Sequence, residues 1–431
     1  MMKKYIKLYY GSEEYIINTS ELNIIAVLKP AYVPPPCPIE KLVLKALNNS
    51  IKKSFTDLVK GKNTDLEVVL VSDDITRPTP TKTIIPIIID TLNSLGIKED
   101  RIKVLVALGS HRKMSRNELE RKFGKGLLER IKVLQHDAWD KNQLVYIGET
   151  SSGIPIWINK HYYEADIKIG IGNIVPHPAA GWSGGSKIIM PGVSGARTVG
   201  LVHFHSALYD IEEIYGIRDN PVRREFDEIA LKSGLKLIVN TIQNALKEVV
   251  DVVIGDVIDA HRAGVEIAEK IYRPIAPQAD IALISAYPYD VDYWQAGKGY
   301  LGAYLFLRKG GAAILVAKLP EGVSSVSLHK DELLNLGRLS PREIEERIRE
   351  NKVNDLIAAS IALVMAKARR KIRLYIITEG LTDKECEKLG LIKVDDVRDV
   401  VNEYKSILGR EPRIVVMEDS SIAPAPSARK P

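Results

Sequence analysis

The chain of 431 residues contains only two cysteines, Cys37 and Cys386. They are too few for a disulfide framework and too far apart for a CxxC metal motif, so a cytosolic location is expected. Long apolar runs are missing as well. No stretch of eighteen apolar residues occurs, which excludes a transmembrane helix. The N-terminal MMKKYIKLYYGSEEYIIN has lysines but no apolar segment behind them. It reads as a strand hairpin turning at Gly11-Ser12, not as a signal peptide. A dominant charge of one sign is also absent. The net charge is +6, and bases alternate with acids, as in EIEERIREN. Neither nucleic acid nor a membrane is therefore expected as a partner. Glutamine is scarce while Ile, Lys, Arg and Glu abound, a composition that hints at a thermophilic source.

What is present is a globular composition, 45% apolar and 27% charged, long enough for two to three domains. Residues 1–35 read as strands that end in Pro34–Pro36, and a helix is expected from Ile39 to about Lys60. A repeated grammar follows. LEVVLVS, Leu66–Ser72, is a short Val-rich run suited to a buried parallel strand, and it hands over to DDITRPTP, Asp73–Pro80. Residues 82–95 are helical in period. IKVLVAL, ending at Leu108, hands over to Gly109-Ser110-His111-Arg112, and Ser115 with Glu118 forms a capping box that opens a helix. DIKIGI, Asp166–Ile171, hands over to GNIVPHPAAGWSGGSK, Gly172–Lys187. Six of those sixteen residues are Gly or Pro, so the stretch is not one regular element. In open α/β sheets ligands bind beyond the carboxyl ends of the strands. The three loops are thus expected to converge on one site.

Further strands are expected at 235–241 and 249–254. Arg273–Pro277, RPIAP, is a proline-punctuated boundary. Beyond it a second α/β unit begins with DIALISA, Asp280–Ala286, and continues through strands at 312–316 and 372–378. Ser340, Pro341 and Glu343 start a helix. A last strand, Arg413–Met417, is open to either unit, and SSIAPAPSARKP reads as a flexible tail. The domains expected are therefore 1–272, 273–405, and a segment 406–431 holding the last strand, which can return to the first domain, and the tail.

GWSGGSK lacks the Gly before and the Ser or Thr after its lysine that a P-loop requires. Gly170-Ile-Gly172 misses the third glycine of a dinucleotide fingerprint. The glycine-rich backbone remains able to cradle an anion. Lys187 is either a covalent anchor, as in Schiff-base enzymes, or a surface lysine. His111 and His177 follow apolar strands, where a proton donor or acceptor is useful, although a single histidine is commonly a structural hydrogen-bonder. Arg77, beside Asp74, suits a carboxylate or phosphate, or else a structural ion pair. Trp294-Gln295-Ala296-Gly297-Lys298 follows DIALISA, so Gln295 and Lys298 can complete an anion pocket from the second unit.

Taken jointly and in order, DDITRPTP, GSHRKMS, NIVPHPAAGWSGGSK, the region of His203, and WQAGKG resemble the nickel-pincer lactate racemase family, from about residue 65 to 300. The resemblance implies two α/β domains with parallel-rich sheets and the active site in the cleft between them. It implies a nickel-pincer nucleotide, a pyridinium mononucleotide with two thio-acyl arms, bound covalently to Lys187. His203 matches the nickel ligand best, with His205 a close competitor. His111 and His177 match the acid/base pair. Asp74, Ile75, Thr76 and Arg77 match the cofactor contact, and Arg77, Gln295 and Lys298 the substrate contact. The activity implied is racemisation or epimerisation at C2 of a 2-hydroxy acid by hydride transfer, with partner proteins that synthesise and load the cofactor. A second-domain tryptophan of the family is missing here, since no Trp follows Trp294, so lactate itself is not implied. The rival readings are a lyase or oxidoreductase acting on another small carboxylate, and a non-catalytic cofactor-binding homologue. The carrier reading sits poorly with the presence of both His111 and His177.

Overall fold

The computed structural model describes residues 5–61 and 65–427. Two six-stranded sheets organise it. The first runs in the order 249–255, 237–243, 167–173, 68–73, 102–107, 132–135. All its pairings are parallel except that of Val249–Gly255, which lies antiparallel at the edge. Neighbouring residues of each central strand face opposite sides, and both sides are buried. Leu70, Val104 and Ile169 pack against Ile84, Ile88 and Leu92 of the helix Thr81–Ser94. Val71, Leu105 and Ile238 pack on the other side, against Val199, Val202 and Phe226. Each such buried aliphatic side chain contributes about 1.5–3 kcal/mol of transfer free energy. Continuous apolar runs such as VVLV are what a strand covered on both faces requires.

The second sheet is parallel throughout, in the order 392–393, 372–377, 307–316, 279–285, 414–417, 24–28. Its membership does not follow chain order. Ile24–Leu28 and Ile414–Met417, from opposite ends of the chain, are direct neighbours. The hairpin Tyr5–Tyr10/Glu13–Asn18 covers one face of this sheet through Leu8, Tyr10 and Ile17. The helix Leu356–Lys371 covers the other face and also meets the helix Ala196–Leu208. There Gly200 has a packing role, because a Cβ on it would lie 3.0 Å from the Leu356 side chain.

Two expectations are corrected. The single helix from Ile39 to about Lys60 is two helices, Ile39–Asn48 and Phe55–Val59. Between them Ile51 bridges to Gly255 and Lys52 takes a left-handed φ of 58°, after which a Ser54–Asp57 capping box restarts the helix. The terminal segment is also not a free tail over residues 420–427. Ile422 and Ala423 are fully buried, Ala423 N–H donates to Tyr272 O at 3.0 Å, and Ala425–Pro426 pairs with Ile275–Ala276. Burial of its apolar residues and a short strand pairing outweigh its proline-rich composition. The rest of the expected tail, 428–431, lies outside the described residues.

Candidate active site

The three strands that end at Asp73, Ala107 and Asn173 are adjacent in the first sheet, with Val68–Asp73 in the middle. The chain leaves this middle strand toward 102–107 on one side and later returns at 167–173 on the other. That is a topological switch point, where loops part and leave a crevice. A cavity of about 180 Å³ occupies it. Asp74, Arg77, His111, His177, Lys187 and His203 line it from the first unit, and Trp294, Gln295 and Lys298 from the second. Ile75 and Thr76 do not line this cavity. They border a smaller one of about 80 Å³ on the far side of Asp74 and His111.

Each side chain is held by local structure. Asp74 Oδ2 lies 2.6 Å from His111 Nδ1, and its Oδ1 accepts from Thr76 N–H at 2.9 Å. Burial by itself would raise the Asp74 carboxyl. The adjoining His111 ring, Arg77 and the Thr76 hydroxyl outweigh it and hold the group well below the usual carboxylate range. Asp74 is thus an anion that fixes a proton on Nδ1 of His111 and turns Nε2 toward Gln295, whose Nε2 is 3.3 Å away.

The segment 172–187 folds as a strand end, a two-residue hairpin pairing Pro176–His177 with Gly181–Trp182, and a 3₁₀ turn at Gly185–Ile188. Gly184 and Gly185 take positive φ values of 74° and 56°, and Gly185 N–H donates to Asn240 Oδ1 at 2.7 Å. Buried Arg223 donates to the carbonyls of Trp182 and Gly184 and so fixes the turn from behind. His177 Nδ1 accepts from Ala179 N–H at 3.2 Å, so the proton of its neutral ring sits on Nε2. Burial, then the charges of Lys187, Lys298 and Arg77, push His177 well below its ordinary value. Lys187 Nζ has no hydrogen-bond or ion-pair partner among the described residues. Burial, then Arg77 and Arg223, lower its ammonium to about 7. A desolvated amine beside other cations is a nucleophile at neutral pH.

His203 donates from Nδ1 to Val199 O at 2.8 Å, which leaves the Nε2 lone pair free. Burial is the main cause that lowers it to about 4, so it is neutral and able to bind a metal. His205, two residues on, faces elsewhere on the helix, packs against Tyr209 and does not line the cavity. Among the described residues no cluster of three His, Cys, Asp or Glu side chains is placed to hold a metal ion. Lys298 donates to Gln295 Oε1 and lies 4.5 Å from the centre of the Tyr289 ring. Burial, then Arg77 and Lys187, lower Lys298 well below its usual range.

The sequence reading overlooked several residues of this site. Tyr289 walls Lys298; an aromatic just past a strand end was the available signal. Asp73, Lys122 and Gln243 hold the Arg77 loop, and nothing local in the sequence marks them. His329 is buried and stacks on Trp294 with ring centres 4.0 Å apart, while Nδ1 pairs with Asp355.

A family model described as the lactate racemase N-terminal domain matches residues 10–214. A lactate racemase of Thermoanaerobacterium thermosaccharolyticum is 27% identical over 392 residues, covering 88% of this chain and 89% of that protein. A lactate racemase of Lactiplantibacillus plantarum is 31% identical over 287 residues, covering 66% of this chain and 67% of that protein. The structure of the Thermoanaerobacterium thermosaccharolyticum lactate racemase apoprotein superposes with a TM-score of 0.86 at 25% identity, over 97% of this chain and 99% of that one. A Thermotoga maritima protein shares the fold, with a TM-score of 0.72 at 20% identity, over 92% of this chain and all of that one.

Proposed function

The chain belongs to the lactate racemase family, a family of isomerases, and from that premise we propose that it inverts C2 of a small 2-hydroxy carboxylate. One observation carries the reading. Two histidines with differently fixed tautomers, three basic side chains and a free imidazole lone pair, drawn from separate loops, all line one cavity.

The residues also suit the cofactor that the resemblance implies. His203 would hold nickel through its free Nε2 lone pair, with the remaining ligands supplied by the cofactor. Lys187, half-buried and without a polar partner among the described residues, is suited to anchor that group, and the neighbouring Asp74–Arg77 loop to contact it. Once bound, the nickel-pincer nucleotide supplies hydride acceptance and return at C2. Arg77 and Lys298 hold the substrate carboxylate, and Gln295 orients it. The substrate anion offsets the cations around His177 and makes its protonation easier. One histidine takes the hydroxyl proton. C2 becomes planar, and the other histidine returns a proton when the opposite enantiomer forms. A reaction that runs in both directions needs a base for each hand, which is why two histidines serve better than one.

In this reading the two sheets are the cores of two domains dividing near residue 272, with the N-terminal strands and 406–427 joined to the second. The enzyme works in the cytosol, where its two unpaired cysteines stay reduced, and it receives its cofactor from dedicated synthesis proteins.

The test is to load the protein with cofactor by co-expressing the synthesis machinery. Single enantiomers of a panel of 2-hydroxy acids are then followed by circular dichroism and chiral chromatography. Loss of optical activity with at least one acid, without net oxidation, is expected. A fully loaded protein that leaves every acid optically pure excludes racemase activity, and conversion to a keto or unsaturated product identifies an oxidoreductase or a lyase.

A further inference from the structure

The loop that carries Arg77 is gripped by two side chains from distant parts of the chain. Lys122 lies in the last turn of the helix Arg116–Phe123, and its side chain is 3% exposed. Its ammonium donates to Asp73 Oδ1 at 2.7 Å, to Arg77 O at 2.8 Å and to Thr79 O at 3.3 Å. Three acceptors satisfy the three donors of an ammonium. Asp73 is also bound by the Thr79 hydroxyl through its other oxygen, and the Thr81 hydroxyl donates to Lys122 O. Gln243 ends the strand Leu237–Gln243, two places from Val68–Asp73 in the first sheet, and its Nε2 donates to Pro78 O at 2.8 Å. The carbonyls of Arg77, Pro78 and Thr79 are thus captured in succession, by two residues that lie 45 and 165 positions away. Neither residue lines the cavity, whereas Arg77 does.

We propose that Lys122 and Gln243 are positioning residues that fix the backbone of Arg77, so that its guanidinium stands ready to bind an anion in the cavity. The proposal rests on the reading of Arg77 as an anion contact. A guanidinium grips a carboxylate through a planar two-bond fork, so its affinity depends on where the backbone presents it. A flexible loop would have to be ordered at each binding event, whereas a pinned one is ordered in advance. Displacement of about 1 Å at a positioned group is enough to cost up to about 100-fold.

The probe is oxalate, titrated into the apoprotein by calorimetry, with the Lys122→Met, Gln243→Leu and Arg77→Met variants and the two double variants that include Arg77→Met. Lys122→Met and Gln243→Leu are each expected to weaken oxalate about tenfold. In the Arg77→Met background neither is expected to weaken it further, because the effect passes through Arg77. In the cofactor-loaded enzyme Gln243→Leu is expected to raise KM while kcat stays within about threefold. Lys122→Met leaves Asp73 buried without its partner. If that variant does not fold, the pair Lys122→Met/Asp73→Asn takes its place. Folded variants with wild-type oxalate affinity overturn the proposal. So do losses that persist undiminished without Arg77, which would mark a general structural role. If Arg77→Met itself binds oxalate like the wild type, the reading of Arg77 falls and the proposal with it. If Arg77→Met weakens binding and the other two do not, only the positioning role falls.

Discussion

The Asp74 carboxylate and His111 Nδ1 stand 2.6 Å apart, and Asp74 is nearly fully buried. The pair sets which nitrogen of His111 holds the fixed proton and which faces Gln295 in the cavity. Asp74→Asn keeps the shape but replaces the anion with an amide that can donate to Nδ1 and so favour the wrong tautomer. In the cofactor-loaded enzyme kcat is expected to fall about 100-fold or more, with thermal stability little changed. Steady-state kinetics beside a melting curve check this, and an unchanged kcat would remove Asp74 from the acid/base machinery.

His203 faces the cavity with a free lone pair and His205 does not. Nickel content after loading is expected to drop to background in His203→Ala and to stay near the wild-type level in His205→Ala. Elemental analysis of desalted protein reads both, and the reverse pattern would exchange their roles.

Lys187 titrates near pH 7 in the folded chain, against 10.5 for an ordinary lysine. Between those values the unfolded chain binds a proton that the folded chain does not, so apoprotein stability gains from this group as pH rises from about 7 to 10.5. Urea midpoints across that range are expected to climb less in Lys187→Met. Trinitrobenzenesulfonate labelling of Lys187, located by mass spectrometry, should follow a titration centred near 7. A midpoint near 10 would place the amine in solvent.

His136 is buried, accepts from Asn159 Nδ2 at 3.1 Å and donates to Ser194 O at 2.9 Å. Burial is the main cause that lowers its pKa from 6.5 to about 4. Because the folded value is depressed, its share of stability is present above about pH 6.5 and is lost as pH falls through about 4. The full loss is about 3 kcal/mol. His136→Gln is expected to be less stable at pH 7 but to show a shallower acid dependence, which denaturant unfolding at several pH values measures.

The strands, the capping boxes at Ser115 and Ser340 and the handover of each strand to a polar loop were legible in the sequence, because they depend on residues a few positions apart. So was the convergence of His111, His177 and Arg77, since loops at the carboxyl ends of adjacent parallel strands must meet. Gly181 was legible only as a glycine. Its reason is tertiary: φ is 76°, and a Cβ there would lie 2.1 Å from Ile217 O. The choice between His203 and His205 was not legible either. Two residues apart on a helix, they point in different directions, and only the packing of that helix decides which one meets the cavity.

The sequence by itself determined which candidate residues exist and on which strand ends they stand, because residue type and short-range pattern are written there. Tertiary structure alone decided how those residues are held. Lys122 reaches the Arg77 loop from a helix 45 residues later, Gln243 reaches it from a strand 165 residues later, and strands from opposite parts of the chain meet at Ile24–Leu28 and Ile414–Met417. Such contacts join segments whose separation along the chain leaves no local pattern, and only the packing of the whole brings them within hydrogen-bond distance.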